Sequence, residues 1–140
     1  MNTVQYLKQL YGLNDLINSC LQELGKLRAL WASIGSPKLS GMPPSATKTK
    51  DAKFTVCIQK IIDLERTIDE EIDRYVDLNK EVRETINQLY NVKEKLVLRM
   101  RYIHFLSWDE ISEKMGYSVM QVHRIHDRAI KKIKIPKNVT

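Results

Sequence analysis

Polar and basic side chains share one face of the last amphipathic segment of the chain. At 100° per residue, four residues fall together on this face, three of them charged, and three more flank them. The four are Met120, Arg124, Asp127 and Lys131, and the flanking three are Gln121, His123 and Arg128. Arginine can donate two hydrogen bonds to guanine, glutamine can read adenine, and methionine offers an apolar contact to the thymine methyl group. The pattern therefore predicts a helix whose first turns could read the edges of DNA bases.

Basic residues continue beyond these first turns. Arg128, Lys131 and Lys132 are candidates for contact with backbone phosphates, because such contacts orient a protein on DNA without reading its sequence. Asp127 is out of place beside a polyanion. We expect it to orient Arg124 or Arg128 by an ion pair within the helix.

Two histidines in the same segment raise the question of a metal site. His123 and His126 stand at i, i+3 spacing, but no cysteine and no paired acidic ligand is near them in sequence. We therefore predict no metal, and we interpret His126 as a packing residue on the apolar side of the helix. No Ser/His/Asp set, nucleotide-binding glycine loop or poised pair of carboxylates stands out, so neither catalysis nor a cofactor is predicted.

Capping signals define the elements that must position these residues. Both Ser107-Trp-Asp-Glu110 and Ser118-Val-Met-Gln121 match the capping box, in which a hydroxyl and a Glu or Gln satisfy free amides reciprocally. Gly116 stands where a left-handed helix terminator is needed, and a weaker helix start is read at Asn91. The predicted elements are a helix over 108–115, a turn over 116–118 and a helix over 119–133. With a helix before them, they follow the plan of the DNA-binding helix-turn-helix.

The net charge of +6 lies entirely in this part of the chain. Residues 1–90 hold 12 Lys and Arg against 12 Asp and Glu, whereas residues 91–140 hold 11 against 5. A localised basic end is typical of a protein that binds a polyanion. A solvated, lysine-rich tail would give the same balance, so charge alone does not decide between them.

The first ninety residues read as an antiparallel, coiled-coil-like helical hairpin. Apolar heptad positions run from Leu10 to Ile34 and again from about Asp51 to Tyr90, with a loop over 35–50. The apolar stripe of the second helix is wider than a two-stranded seam, which predicts self-association as a dimer or larger homo-oligomer. Its members are Ile61, Leu64, Ile68, Ile72, Leu78 and Val82. On this division, a fragment from Asn91 onward is expected to bind DNA by itself, more weakly than the oligomer.

Composition sets the broad class of the chain. No apolar run approaches the roughly 18 to 20 residues that cross a bilayer, and no signal peptide opens the sequence, so we predict a cytoplasmic protein with no membrane partner. Cys20 and Cys57 lie on apolar stripes, far apart in an antiparallel hairpin, and are predicted to be reduced core residues.

The segment from Leu96 to Ile133 resembles the fourth conserved region of sigma factors. The matching pieces are Leu98-Arg-x-Arg-Tyr, Ser107-Trp-x-Glu-Ile, Met115-Gly-Tyr-Ser and Val122-x-x-Ile-x-x-x-Ala-Ile-Lys-Lys. With its hairpin ahead of this module, the whole chain looks like the small regulators of RinA/ArpU type encoded by phages of Gram-positive bacteria. That resemblance implies a regulator of phage late genes in a bacterial host cell, with host RNA polymerase as a candidate partner. The positions of Val119 and Met120 commonly hold charged, promoter-reading residues in sigma factors, and here both are apolar.

Two other classes of protein remain open. A small terminase subunit would also combine helix-turn-helix DNA binding with helical self-assembly, and would recognise a packaging site. An adaptor that uses the hairpin to bind a protein partner, with incidental basicity, is the third. A footprint upstream of a promoter favours the regulator, whereas a ring-shaped oligomer favours the terminase subunit.

Overall fold

The computed structural model describes residues 2–35 and 44–136. Within them the chain forms five α-helices and no strand: α1 (Thr3–Gly35), α2 (Pro44–Asn87), α3 (Val92–Tyr102), α4 (Trp108–Met115) and α5 (Val119–Lys132). This confirms the predicted all-α class, a long helical hairpin followed by a small helix-turn-helix domain. No helix of the described ranges is long and apolar enough to cross a membrane.

Both long helices begin with residues suited to a first turn. Asn2 and Gln5 cap α1 reciprocally, since Gln5 N–H donates to Asn2 Oδ1 at 2.8 Å and Asn2 N–H donates to Gln5 Oε1 at 3.1 Å. Pro44 stands first in α2, where its missing N–H leaves no helical hydrogen bond unmade. Helix α2 thus begins before the predicted residue 51. Of the loop predicted over 35–50, residues 36–43 lie outside the described part of the chain.

The chain divides into two compact units. One contains the chain up to Asn14 together with everything from Arg74 onward, and the other is Asp15–Asp73. This division cuts across the boundary at residue 90 that the charge distribution suggested. The helix-turn-helix domain therefore shares a compact unit with the first turns of α1 and the last turns of α2.

In the Asp15–Asp73 unit, α1 and α2 pack through the predicted heptad positions. Leu24 and Ile68 are buried there. Cys57 is also buried, and its Sγ lies 3.5 Å from the carbonyl oxygen of Leu27 on the facing helix. Cys20 is half-buried, so of the two cysteines predicted for the core only Cys57 lies fully inside it, and both are free thiols.

The other unit has a core to which the hairpin and the C-terminal helices both contribute. Its buried members are Tyr6, Leu7, Leu10, Val82, Ile86, Leu89, Leu98, Tyr102, Ala129 and Ile133. The heptad pattern predicted Leu10 and Ile86 among these but did not include Tyr6 or Leu7. Burial raises the pKa of both Tyr6 and Tyr102 to about 12, so both phenols are neutral.

Candidate nucleic-acid interface

The α4–turn–α5 segment is built as its capping signals predict. Ser107 Oγ accepts from Glu110 N–H at 3.2 Å, and Glu110 Oε1 accepts from Ser107 N–H at 3.4 Å. The same reciprocal pair joins Ser118 and Gln121, at 3.2 and 3.1 Å. Gly116 ends α4 in the left-handed region with φ 71°. The helix starts and the turn are therefore fixed by local sequence.

One face of α5 is buried and fixes the direction of the other. Val122 and Ile125 pack with Val97 of α3 and Ile111 of α4 in a second buried cluster, while Ala129 belongs to the first. The face that helical periodicity predicted to carry the polar and basic residues is therefore the one turned away from these two clusters. The opposite face of α5 is left to solvent.

Most of the predicted DNA-contacting residues lie on this outward face. The exposed ones are Met120, Gln121, Arg124, Arg128, Lys131 and Lys132. Arg124 Nη2 lies 3.6 Å from Met120 Sδ, so these two candidate base readers stand side by side. Val119 is only half-buried at the start of the helix. His123 is half-buried as well, with its ring centroid 4.3 Å from that of Trp108.

An open hollow of about 610 Å³ lies between α3 and α5. Its lining residues are Lys93, Tyr117, Gln121, Arg124, Ile125, Asp127 and Arg128, and we call it the α3–α5 hollow. Lys93 is exposed, and its Nζ lies 5.3 Å from the centroid of the Tyr117 ring. Sequence reasoning missed Lys93. The sequence did offer a signal for Lys93, since it stands in the first turn of a helix. The helix dipole disfavours a cation there, so a lysine at this position calls for an explanation.

Lys132 forms an ion pair with Glu94 of the same domain. Its Nζ donates to Glu94 Oε1 at 2.9 Å and to Oε2 at 3.1 Å. The Glu94 side chain is 4% exposed, so Lys132 balances a buried carboxylate of α3. Glu94 was not predicted as a buried residue, because its position relative to the apolar residues of its helix does not mark it as one.

His126 joins α3 to α5 by a buried hydrogen bond. Its Nε2 lies 2.7 Å from the hydroxyl of Tyr102. The other ring nitrogen, Nδ1, faces the carboxylate of Asp127, which can only accept, so we assign the proton of neutral His126 to Nδ1 and the Tyr102 hydroxyl as the donor to Nε2. Nδ1 in turn lies 3.4 Å from Asp127 Oδ1. Burial lowers the pKa of His126, and Asp127 opposes that shift in part.

These contacts confirm one prediction and correct another. His126 is a packing residue, as predicted. Asp127 makes its side-chain contact with His126 and not with an arginine, because the Nδ1 proton of this buried histidine needs an acceptor. Across the described residues, no group of three or more His, Cys, Asp or Glu side chains could hold a metal ion.

Arg101 fixes the loop that leads into α4. Its Cζ lies 4.4 Å from the centroid of the Trp108 ring, and its Nη1 donates to Leu106 O at 3.0 Å. The hydroxyl of Tyr11 donates to Arg101 O, and the Tyr11 ring packs 4.7 Å from that of Phe105. Phe105 has a φ of 58°, in the left-handed region that phenylalanine rarely adopts. Helix α1 thus supports the loop in front of the helix-turn-helix.

Comparison with known protein families agrees with this geometry. Residues 91–134 match the family described as Sigma-70, region 4. This segment is therefore similar to a helix-turn-helix DNA-binding domain of transcription, as its sequence motifs predicted. No curated protein gives a match to the chain, and neither does any solved structure.

Proposed function

We propose that this protein is a sequence-specific double-stranded DNA-binding regulator of transcription that reads its site with α5. One observation supports this most directly: Met120, Gln121 and Arg124 are exposed together in the first turns of α5. That helix belongs to the segment that matches sigma-70 region 4. In a helix-turn-helix, the N-terminal part of the second helix meets base edges in the major groove. Val119 and His123 complete the proposed interface beside them.

The phosphate contacts of this interface are proposed for Arg128 and Lys131. Both are exposed on α5 beyond the base-reading turns, where the helix leaves the groove along the backbone. Lys132 contributes less, because its ammonium group is already paired with Glu94. Lys132 is proposed as a peripheral contact only.

The proposal includes self-association through the hairpin. Of the stripe predicted for this purpose, Ile68 and Val82 are only 5% and 0% exposed, so they are already covered within the chain. Ile72 stays exposed. Within the Asp15–Asp73 unit a second copy would instead meet exposed apolar residues that the stripe did not include. These are Leu16, Leu21, Leu30, Trp31, Val56 and Ile62.

RNA polymerase is proposed as a further partner. Tyr90, Val92 and Leu96 are exposed in the α2–α3 turn and on α3. Exposed apolar side chains do not stabilise an isolated domain, so they favour a contact with a protein partner. Val92 and Leu96 lie on a side of α3 other than the one that buries Val97 and Leu98. The resemblance to phage regulators of RinA/ArpU type supports a role at phage late genes.

Selection of bound DNA from random fragments of the source genome tests the proposed function. We expect one short motif to be enriched, located upstream of promoters and protected there in a footprint. Enrichment of a packaging site, together with a ring-shaped oligomer, would support the small terminase subunit instead. Equal retention of all fragments would refute sequence-specific binding altogether. Light scattering on the intact protein tests the oligomer, and a monomer at micromolar concentration would contradict it.

A further inference from the structure

The α3–α5 hollow adds a cation from α3 to those that α5 presents. Lys93, Arg124 and Arg128 line it, and Asp127 is the acidic residue among its lining side chains. Glu94 follows Lys93 directly in sequence but does not neutralise it. The Glu94 carboxylate is turned into the protein and paired with Lys132. The hollow therefore has a net positive lining made by two helices and the turn.

The lysine of this hollow is held in place before any ligand arrives. Its ammonium group lies over the face of Tyr117, an arrangement that favours the cation electrostatically. The backbone of Tyr117 is held as well, because its carbonyl oxygen accepts a hydrogen bond from the Ser112 hydroxyl. A cation that is already oriented loses less side-chain freedom when it binds an anion.

The hollow also lies where a duplex must pass. Gln121 and Arg124, two of the proposed base readers, form part of its wall. A double helix whose major groove receives these side chains brings its sugar–phosphate backbone against the neighbouring surface. Lys93 and Tyr117, which lie outside α5, belong to that neighbouring surface.

We propose that the α3–α5 hollow binds a phosphodiester group of the DNA backbone, with Lys93 and Arg128 as its cationic contacts. Tyr117 lines the same hollow, and its hydroxyl is the third contact of the proposed site. This site rests on the proposed DNA-binding function. It adds α3 to a DNA-contacting surface that would otherwise consist of α5 alone. It fixes the register of α5 in the groove without reading a base.

The test compares Lys93→Ala with Lys93→Arg and with Lys80→Ala, a matched change at an exposed lysine of α2. Affinity for the selected duplex and for a scrambled one is titrated at several salt concentrations. We expect Lys93→Ala to weaken both duplexes by the same factor and to reduce the salt slope of log affinity by about 0.9, the value for one phosphate. Lys93→Arg and Lys80→Ala should keep the wild-type slope.

Thermal unfolding of each variant provides the structural control. Lys93 is exposed, so Lys93→Ala should unfold at the wild-type temperature. A wild-type slope for Lys93→Ala, in a protein that still prefers the selected duplex, would overturn the phosphate site and leave the proposed function standing. Failure of the wild-type protein to bind any duplex would overturn both.

Discussion

Lys132 Nζ lies 2.9 Å from Oε1 of Glu94, and this ion pair closes the end of α5 onto the start of α3. The two partners are unequal, with side chains 58% and 4% exposed. The lysine can therefore be removed without a cavity, while the carboxylate would stay buried without its cation.

We expect Lys132→Ala to lower the free energy of unfolding by about 1 to 3 kcal/mol, because it leaves a buried carboxylate unpaired. Lys131→Ala, the change at its exposed neighbour, should alter stability by less than about 0.5 kcal/mol. Urea unfolding followed by circular dichroism measures both. In a Glu94→Gln background the loss from Lys132→Ala should shrink. An equal effect in both backgrounds would argue against the ion pair.

Arg124 and Lys131 separate base reading from phosphate contact. Arg124→Ala should cost roughly 1 to 3 kcal/mol on the selected duplex and relax the preference at one base pair. Lys131→Ala should weaken all duplexes alike and reduce the salt slope by about one unit. Titrations on selected and scrambled duplexes distinguish the two. Equal loss on both duplexes for Arg124→Ala would remove it from the base-reading residues.

Leu7 of α1 is expected to stabilise the unit that holds the helix-turn-helix. It is 0% exposed in the same cluster as Leu98 and Ala129, whereas Leu30, further along the same helix, is 53% exposed. Leu7→Ala should cost about 2 to 5 kcal/mol, and Leu30→Ala less than about 1 kcal/mol. Thermal unfolding measures the difference. Matching losses would mean that α1 does not pack as described.

The shared core also changes what we expect of a fragment that starts at Asn91. The sequence suggested that such a fragment binds DNA by itself. In the structure its Leu98, Tyr102 and Ala129 pack on side chains from both hairpin helices. We therefore expect residues 91–140 alone to be largely unfolded by circular dichroism. A folded, cooperative fragment would show that these contacts are dispensable.

His126 should make the stability of the protein depend on pH. Its pKa is lowered by burial from the ordinary 6.5, so the unfolded chain takes up a proton more readily than the folded one. The stabilisation that neutral His126 gives the folded protein is thus complete above pH 6.5. It is lost as the pH falls from there through the pKa of His126 in the folded state. His126→Gln should flatten the dependence below pH 6.5. Urea midpoints at each pH measure the dependence, and an unchanged dependence in His126→Gln would contradict this role of the buried imidazole.

Two glycines should respond to alanine with opposite signs. No atom lies within 4 Å of a Cβ built at Gly116 or Gly25, so space is not the issue at either. Gly116 has φ 71°, and an alanine there should cost about 1 to 2 kcal/mol. Gly25 lies inside α1, where alanine should gain about 0.5 to 1 kcal/mol. Chemical denaturation checks both signs, and stabilisation by Gly116→Ala would contradict the turn geometry.

Local chemistry explains how much of this molecule could be predicted from its sequence. The capping boxes at Ser107 and Ser118 need only residues three apart, so they predicted the bounds of α4 and α5 closely. Helical periodicity likewise predicted the outward face of α5. Glu94 and Lys93 escaped prediction because their partners, Lys132 and Tyr117, come from helices and turns far along the chain. Tyr6 and Leu7 escaped for the same reason, since a seam pattern does not say which other helices will cover its ends.

The core that joins Tyr6 to Ile133 has a consequence for synthesis on the ribosome. Chains emerge at about 5 to 20 residues per second, and domains that are continuous in sequence can fold as they appear. Here the first turns of α1 must wait several seconds for their partners near the other end of the chain. A message cut short before Val82 would therefore leave Tyr6, Leu7 and Leu10 without the core that buries them and would not yield a smaller version of the protein.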